Sequence, residues 1–136
     1  MARTPPLRRA PQGKYARTGY TSPIDAALQV IGGKYKVAIL YHLRASAVRF
    51  GELRRLMPMA TQRMLTKQLR ELERDGMLRR KVFRQVPPRV DYILTQEGRS
   101  LVPILEALCE WGKRRIGHST QLPISGQPVR TRSLPN

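Results

Sequence analysis

The stretch MATQRMLTKQLRELERDG, residues 59–76, carries two different faces on one helix. Leu65, Leu69 and Leu72 recur at i, i+4 and i+7, the spacing that lays an apolar stripe on a core. Arg63, Lys67, Arg70 and Arg74 recur at i, i+4, i+7 and i+11. At about 3.6 residues per turn these four cations share a narrow arc pointing away from the leucines. Like charges at i,i+4 repel by about 0.2–0.5 kcal/mol per pair. A row of this kind calls for an anion in front of it.

The flanking sequence says what holds that helix. Upstream, FGELRRLMP is a short helix from Gly51 to about Met57, stopped by Pro58, which disfavours helical geometry at the residue before it. The cationic helix then runs from about Thr61 to Asp75 and closes at Gly76. Downstream the period changes to that of strands. MLRRKVFRQ and RVDYILT, joined through Val86-Pro87-Pro88, read as a β-hairpin with a proline-stiffened tip. Two short helices joined by a tight turn and followed by a hairpin make a winged helix-turn-helix, whose second helix enters a DNA major groove.

Further out, SPIDAALQVIGG opens a helix with Ser22 as cap, Pro23 in the first turn and Asp25 at the positive end of the dipole. Gly32-Gly33 ends it. KYKVAILYHLRA follows as a helix with Val37, Leu40, Tyr41 and Leu43 inward, and Val48–Phe50 has room only for a very short strand. Thr95 caps a last helix that Pro103 kinks or splits. The fold class is mainly α with a small β-hairpin (α+β): a winged helix-turn-helix DNA-binding domain with terminal dimerisation helices. Residues 1–20 form a flexible basic arm, 21–117 the winged-helix domain with its dimerisation helices, and 118–136 a disordered tail rich in Pro and Gly.

Composition narrows the function. The 136 residues carry a net charge of +17, which predicts an anionic partner. Residues 49–89 alone hold 12 basic and 4 acidic side chains. A 40% hydrophobic content supports a folded core, no apolar run reaches the roughly 18 residues of a membrane span, and no hydrophobic signal region opens the chain. A cytoplasmic, nucleoid-associated protein with no membrane partner is expected. The single Cys109 excludes an internal disulfide framework and a cysteine-cluster zinc site. His42 has no second ligand near it in sequence. The acids are scattered, with no phosphate loop and no nucleophile–base pair, so neither catalysis nor a cofactor or metal is expected.

The segment from Ser22 to Gly112 resembles the HxlR-type winged-helix transcriptional regulators of bacteria. The marks are IGGKYK, RFGELRR, QRMLTKQLRELERDGMLRR, VPPRVDY and LTQEGRSL…LCEWG, in one continuous order. The resemblance implies a homodimer whose first and last helices form the interface and whose two recognition helices read a palindromic operator. An unidentified small-molecule effector between the protomers is compatible with it. The chain departs from the family at Ser22, where many members carry a cysteine before the proline. Redox or electrophile sensing through that position is therefore not expected. Cys109, beside the apolar stripe of the last helix, is read as an inert small hydrophobe.

The sequence assigns roles as follows. Thr61, Gln62, Arg63, Thr66 and Lys67 sit at the deep end of the recognition helix, as candidates for base edges or adjacent phosphates, with Arg70 on the same face. Arginine and lysine suit guanine, and glutamine suits adenine. Arg74, toward the far end, is as well read as solvated. On the wing, Arg84 and Arg89 flank the proline tip, placed for phosphate or minor-groove contact. Arg49 and Arg54, with Arg55 beside them, lie around the first helix of the motif, which crosses the DNA backbone; Lys34 and Lys36 are candidates for the same role. Leu28 and Ile31 on the first helix, and Leu101, Leu105 and Leu108 with Trp111 on the last, exceed what one small core needs and are assigned to the dimer interface. Tyr35 suits either core or interface. The reading is a sequence-specific DNA-binding regulator, with repression favoured because a dimer without an appended domain acts most simply by occluding a promoter. The alternative is a non-specific basic nucleoid- or RNA-binding protein, disfavoured by 6% aromatics and by cations gathered on one motif.

Overall fold

The computed structural model describes Lys14 and residues 16–119. Most of the basic arm and nearly all of the tail expected at the two ends lie outside these residues. A short 3₁₀ turn, Ala16–Thr18, precedes the first helix. Ser22 caps α1 (Pro23–Ile31): its Oγ accepts from the Asp25 N–H at 3.1 Å. No residue of α1 is buried. In α2 (Lys36–His42) and its C-cap the inward set is Ile39, Leu40 and Leu43. Val37 and Tyr41, expected inside, are only half-buried, because α2 presents the Ile39–Leu40 edge to the core.

The helix-turn-helix is α3 (Phe50–Leu56) and α4 (Gln62–Arg74). Thr61 caps α4 through a 3.1 Å hydrogen bond from the Met64 N–H to its Oγ1. The turn between them is fastened from α2's side, where the Tyr35 hydroxyl donates to the Met59 carbonyl at 3.2 Å. Helix α4 closes at Gly76, whose φ of 76° is left-handed and suits a residue without a side chain. The Met77 N–H then reaches back to the Leu72 carbonyl at 2.9 Å.

Strands β2 (Leu78–Phe83) and β3 (Arg89–Leu94) form the expected antiparallel hairpin. A third strand, β1 (Val48–Arg49), pairs with the other edge of β3, so the sheet order is β1-β3-β2. The wing is thereby anchored to the start of α3. The last helix is split, not kinked: α5 (Gln96–Ser100) and α6 (Val102–Ser119) are separated at Leu101. Pro103 becomes the second residue of α6, a position that needs no N–H donor. Helix α6 includes His118 and Ser119, two residues that the sequence placed in the tail.

One core joins these elements. Leu53 from α3, Leu65, Leu69 and Leu72 from α4, Ile39 and Leu40 from α2, Leu78 from β2 and Leu105 from α6 are its fully buried side chains. The three leucines that set the phase of α4 all point into it.

Candidate nucleic-acid interface

Burying Leu65, Leu69 and Leu72 turns the other side of α4 to solvent. Gln62, Arg63, Lys67 and Arg70 are exposed and Thr66 is half-buried. With Glu71 they line one open groove. Arg63, Lys67 and Arg70 form no hydrogen bond or ion pair within the described residues. Thr61 is exposed, but its oxygen already accepts the capping bond from Met64. Arg74 leans on Asp75 at 3.5 Å, in keeping with the solvated reading of its role.

Arg49 and Arg54 are exposed around α3, and Arg55 pairs with Glu52 at 3.3 Å. Lys34 is exposed, with its ammonium 5.4 Å from the Tyr35 ring centroid. Lys36 is placed elsewhere than expected. It is 6% exposed, and its Nζ lies 2.7 Å from Glu71 Oε2. As the first residue of α2 it turns toward α4, which withdraws it from any phosphate. The bond from Lys36 holds the Glu71 carboxyl below the usual glutamate range, against the opposing effect of burial.

On the wing, Arg84 and Val86 are exposed, Val86 fully so at 100%. Arg89 is half-buried. Its Nε and Nη2 donate to the two Asp91 carboxylate oxygens at 3.0 and 2.9 Å, and its guanidinium lies 4.9 Å from the Phe83 ring centroid. The Arg89 bond depresses the Asp91 pKa, with Arg49 and Lys81 adding to it across the sheet; burial of Asp91 opposes them. The strand register puts these two cations directly opposite Asp91, on β1 and β2. A cleft of about 250 Å³ runs between Arg49–Gly51 and the wing loop, lined also by Gln85 and Pro87. The clamp was available to sequence reasoning, since residues two apart on a strand share a face. The Lys36–Glu71 pair left no local mark.

The residues assigned to a dimer interface divide. Leu28 and Trp111 are each 56% exposed and Leu108 is 47% exposed. Leu105, at 2%, belongs to the protomer's own core and is withdrawn from the interface set. Ile31 and Leu101 pack partly against that core. Helix α6 carries two interleaved stripes: Leu105 and Cys109 inward, continuing from Leu101 just before it, and Ile104, Leu108 and Trp111 outward at i, i+4 and i+7. Ile24, Ile104 and Ile116 are further exposed apolar residues that the sequence analysis did not single out, although the spacing of Ile104 to Leu108 and Trp111 was there to be read. Cys109 is half-buried, its thiol donating to the Tyr41 hydroxyl at 3.2 Å. That contact, followed by burial, raises the Tyr41 pKa. Among the described residues no group of three His, Cys, Asp or Glu is placed to hold a metal, and no helix is long and apolar enough to cross a membrane.

Residues 30–120 match the model of a family described as HxlR-like helix-turn-helix. Over 99 residues the chain is 50% identical to an uncharacterized HTH-type transcriptional regulator of Methanothermobacter thermautotrophicus, covering 73% of this chain and 76% of that one. It is 55% identical over 97 residues to the uncharacterized HTH-type transcriptional regulator YtcD of Bacillus subtilis, covering 71% and 77%. Among solved structures, the redox regulator HypR in its oxidized form superposes with a TM-score of 0.66 at 52% identity, covering 68% of this chain and 96% of that chain.

Proposed function

The chain belongs to the HxlR-like helix-turn-helix family and is a DNA-binding transcriptional regulator, and from that premise we propose how it binds. It acts in the cytoplasm as a homodimer on a palindromic operator, most simply as a repressor, and carries out no reaction of its own. The observation that carries this reading is the exposed row Gln62, Arg63, Lys67 and Arg70 on α4, opposite three buried leucines. Arg63 and Gln62 read base edges. Thr61, Thr66, Lys67 and Arg70 serve edges or adjacent phosphates, and Arg49, Arg54 and Lys34 hold the backbone. Arg84 and Arg89 bring the wing to the flanking groove.

The outward stripe Ile104, Leu108 and Trp111, with Ile24 and Leu28 on α1, supports the dimer, because exposed apolar residues of this size in series mark an interaction surface. Two-fold symmetry then spaces the recognition helices about 34–36 Å apart. The test is selection of genomic fragments against scrambled DNA at fixed salt, followed by sedimentation of the complex. The expected result is an enriched inverted repeat bound by two protomers. Leu108→Glu with Trp111→Glu should leave the fold intact and give a monomer that no longer binds the repeat. Equal binding of genomic and scrambled DNA would instead favour the non-specific nucleoid or RNA reading.

A further inference from the structure

We propose that Lys36 strengthens DNA binding from inside the protein, by neutralising Glu71 so that α4 presents its cations unopposed. The inference rests on the DNA-binding reading of α4. Glu71 lines the same groove as Gln62, Arg63, Thr66, Lys67 and Arg70 and is the only acid in that lining. It stands four residues after Lys67 and three before Arg74, both within side-chain reach on a helix. Left to itself, its carboxylate would take one of these cations or repel a phosphate brought into the groove.

It is not left to itself. Lys36 Nζ reaches Glu71 Oε2 at 2.7 Å, with the two side chains 7% and 26% exposed. The charge therefore comes from beneath α4, from a lysine that no phosphate can reach. The other acid of the helix, Glu73, is exposed and lies outside the groove lining. The pair also ties α2 to α4, and a tie alone would make it merely structural. Sign separates the two roles. Removing Lys36 leaves an unopposed negative charge beside the DNA; removing the Glu71 charge leaves a positive one. Loss of a tie weakens the protein either way.

The experiment uses the full chain and a random-sequence duplex of about 30 base pairs, long enough for two half-sites. Fluorescence anisotropy follows binding across a KCl series, with thermal unfolding run in parallel. Lys36→Met should bind about tenfold more weakly, with a salt slope smaller in magnitude by about 0.9, one phosphate contact's worth. Glu71→Gln should bind as tightly as wild type or more tightly. The double variant Lys36→Met with Glu71→Gln, which buries no lone charge, should return to the wild-type affinity, and it carries the test if Lys36→Met does not fold. Equal weakening by both single variants, or a double variant that stays weak, would overturn the inference and leave a structural tie. A wild-type protein that binds neither this duplex nor the selected operator would overturn the DNA-binding role given to α4, and the inference with it.

Discussion

On α4, Arg63, Lys67 and Arg70 stand exposed and unpaired among the described residues, whereas on the wing Arg89 is held twice by Asp91 and lies over the Phe83 ring. In the proposed function both regions offer cations to DNA, and they aim them by different means. The rotation of α4 about its axis is set by Leu65, Leu69 and Leu72, all fully buried. Once those three are seated, Arg63, Lys67 and Arg70 are aimed outward without a polar bond of their own. The wing has no such core beneath its tip: Val82 is exposed, Phe83 half-buried and Val86 fully exposed. Its aim comes from a clamp beside the tip, where Arg89 pairs across from Phe83. A helix positioned by packing is suited to reading base edges, and a hairpin whose tip is steadied by one ion pair is suited to the backbone and groove shape.

The largest expected effect strikes the packing side. Leu65→Ala opens a cavity beneath α4 and should cost about 2–5 kcal/mol of stability, measured by urea denaturation. Against a total of about 5–15 kcal/mol for a domain this is a large share. If Leu65→Ala leaves stability unchanged, α4 is not aimed by its leucines, and the contrast with the wing fails. Next comes the outward face. Arg63→Ala should leave the fold alone, cost about 1–3 kcal/mol on the selected operator and relax preference at one base pair per half-site. An equal loss on operator and scrambled duplexes would reassign Arg63 from bases to phosphates.

This contrast also explains what the sequence discloses. Both faces of α4 are written within 18 consecutive residues, so periodicity reveals its burial, its cap at Thr61 and its stop at Gly76 together. The hairpin is legible for the same local reason. Lys36 is not, because its partner Glu71 is 35 positions away and no local pattern distinguishes a lysine beneath a helix from one beside a phosphate. On α6 the difficulty is phase. Leu105 and Leu108 are three apart, close enough to read as one stripe, yet the first faces the protomer's core and the second faces out. The phase of that helix depends on its packing against α2 and on the break at Leu101. The third strand was anticipated only as a short extended stretch, since two residues carry almost no periodic signal.

A smaller effect is expected at the wing. Arg89→Ala should weaken every duplex evenly and flatten the salt slope by about one unit, the loss of a single phosphate contact. Arg84, exposed and without a clamp, should cost less when replaced by alanine, because ordering a free side chain on DNA consumes rotamer entropy that Arg89 has already given up. Titration of both variants on operator and scrambled duplexes decides it. A larger loss at Arg84 than at Arg89 would show that the clamp sequesters Arg89 from DNA and that the wing acts through its tip.

The smallest effect isolates the clamp itself, and its sign follows from linkage. Asp91 titrates below its ordinary value of 3.8 in the folded protein, chiefly because of the Arg89 bond, with Arg49 and Lys81 assisting. A carboxyl with a depressed folded pKa contributes stability that is complete above its unfolded pKa and disappears as the pH falls through the folded one. Asp91→Asn removes that contribution while keeping the shape and one acceptor oxygen. The variant should therefore melt at a lower temperature than wild type at neutral pH, and the gap should narrow only in acid, below the ordinary aspartate range. Glu71 is depressed as well, by Lys36, but it is present in both proteins and cancels in the difference. A gap that stays constant into acid would mean that the Arg89–Asp91 contact contributes through shape alone. The wing would then be positioned by packing, as α4 is, and the distinction between the two regions would not hold.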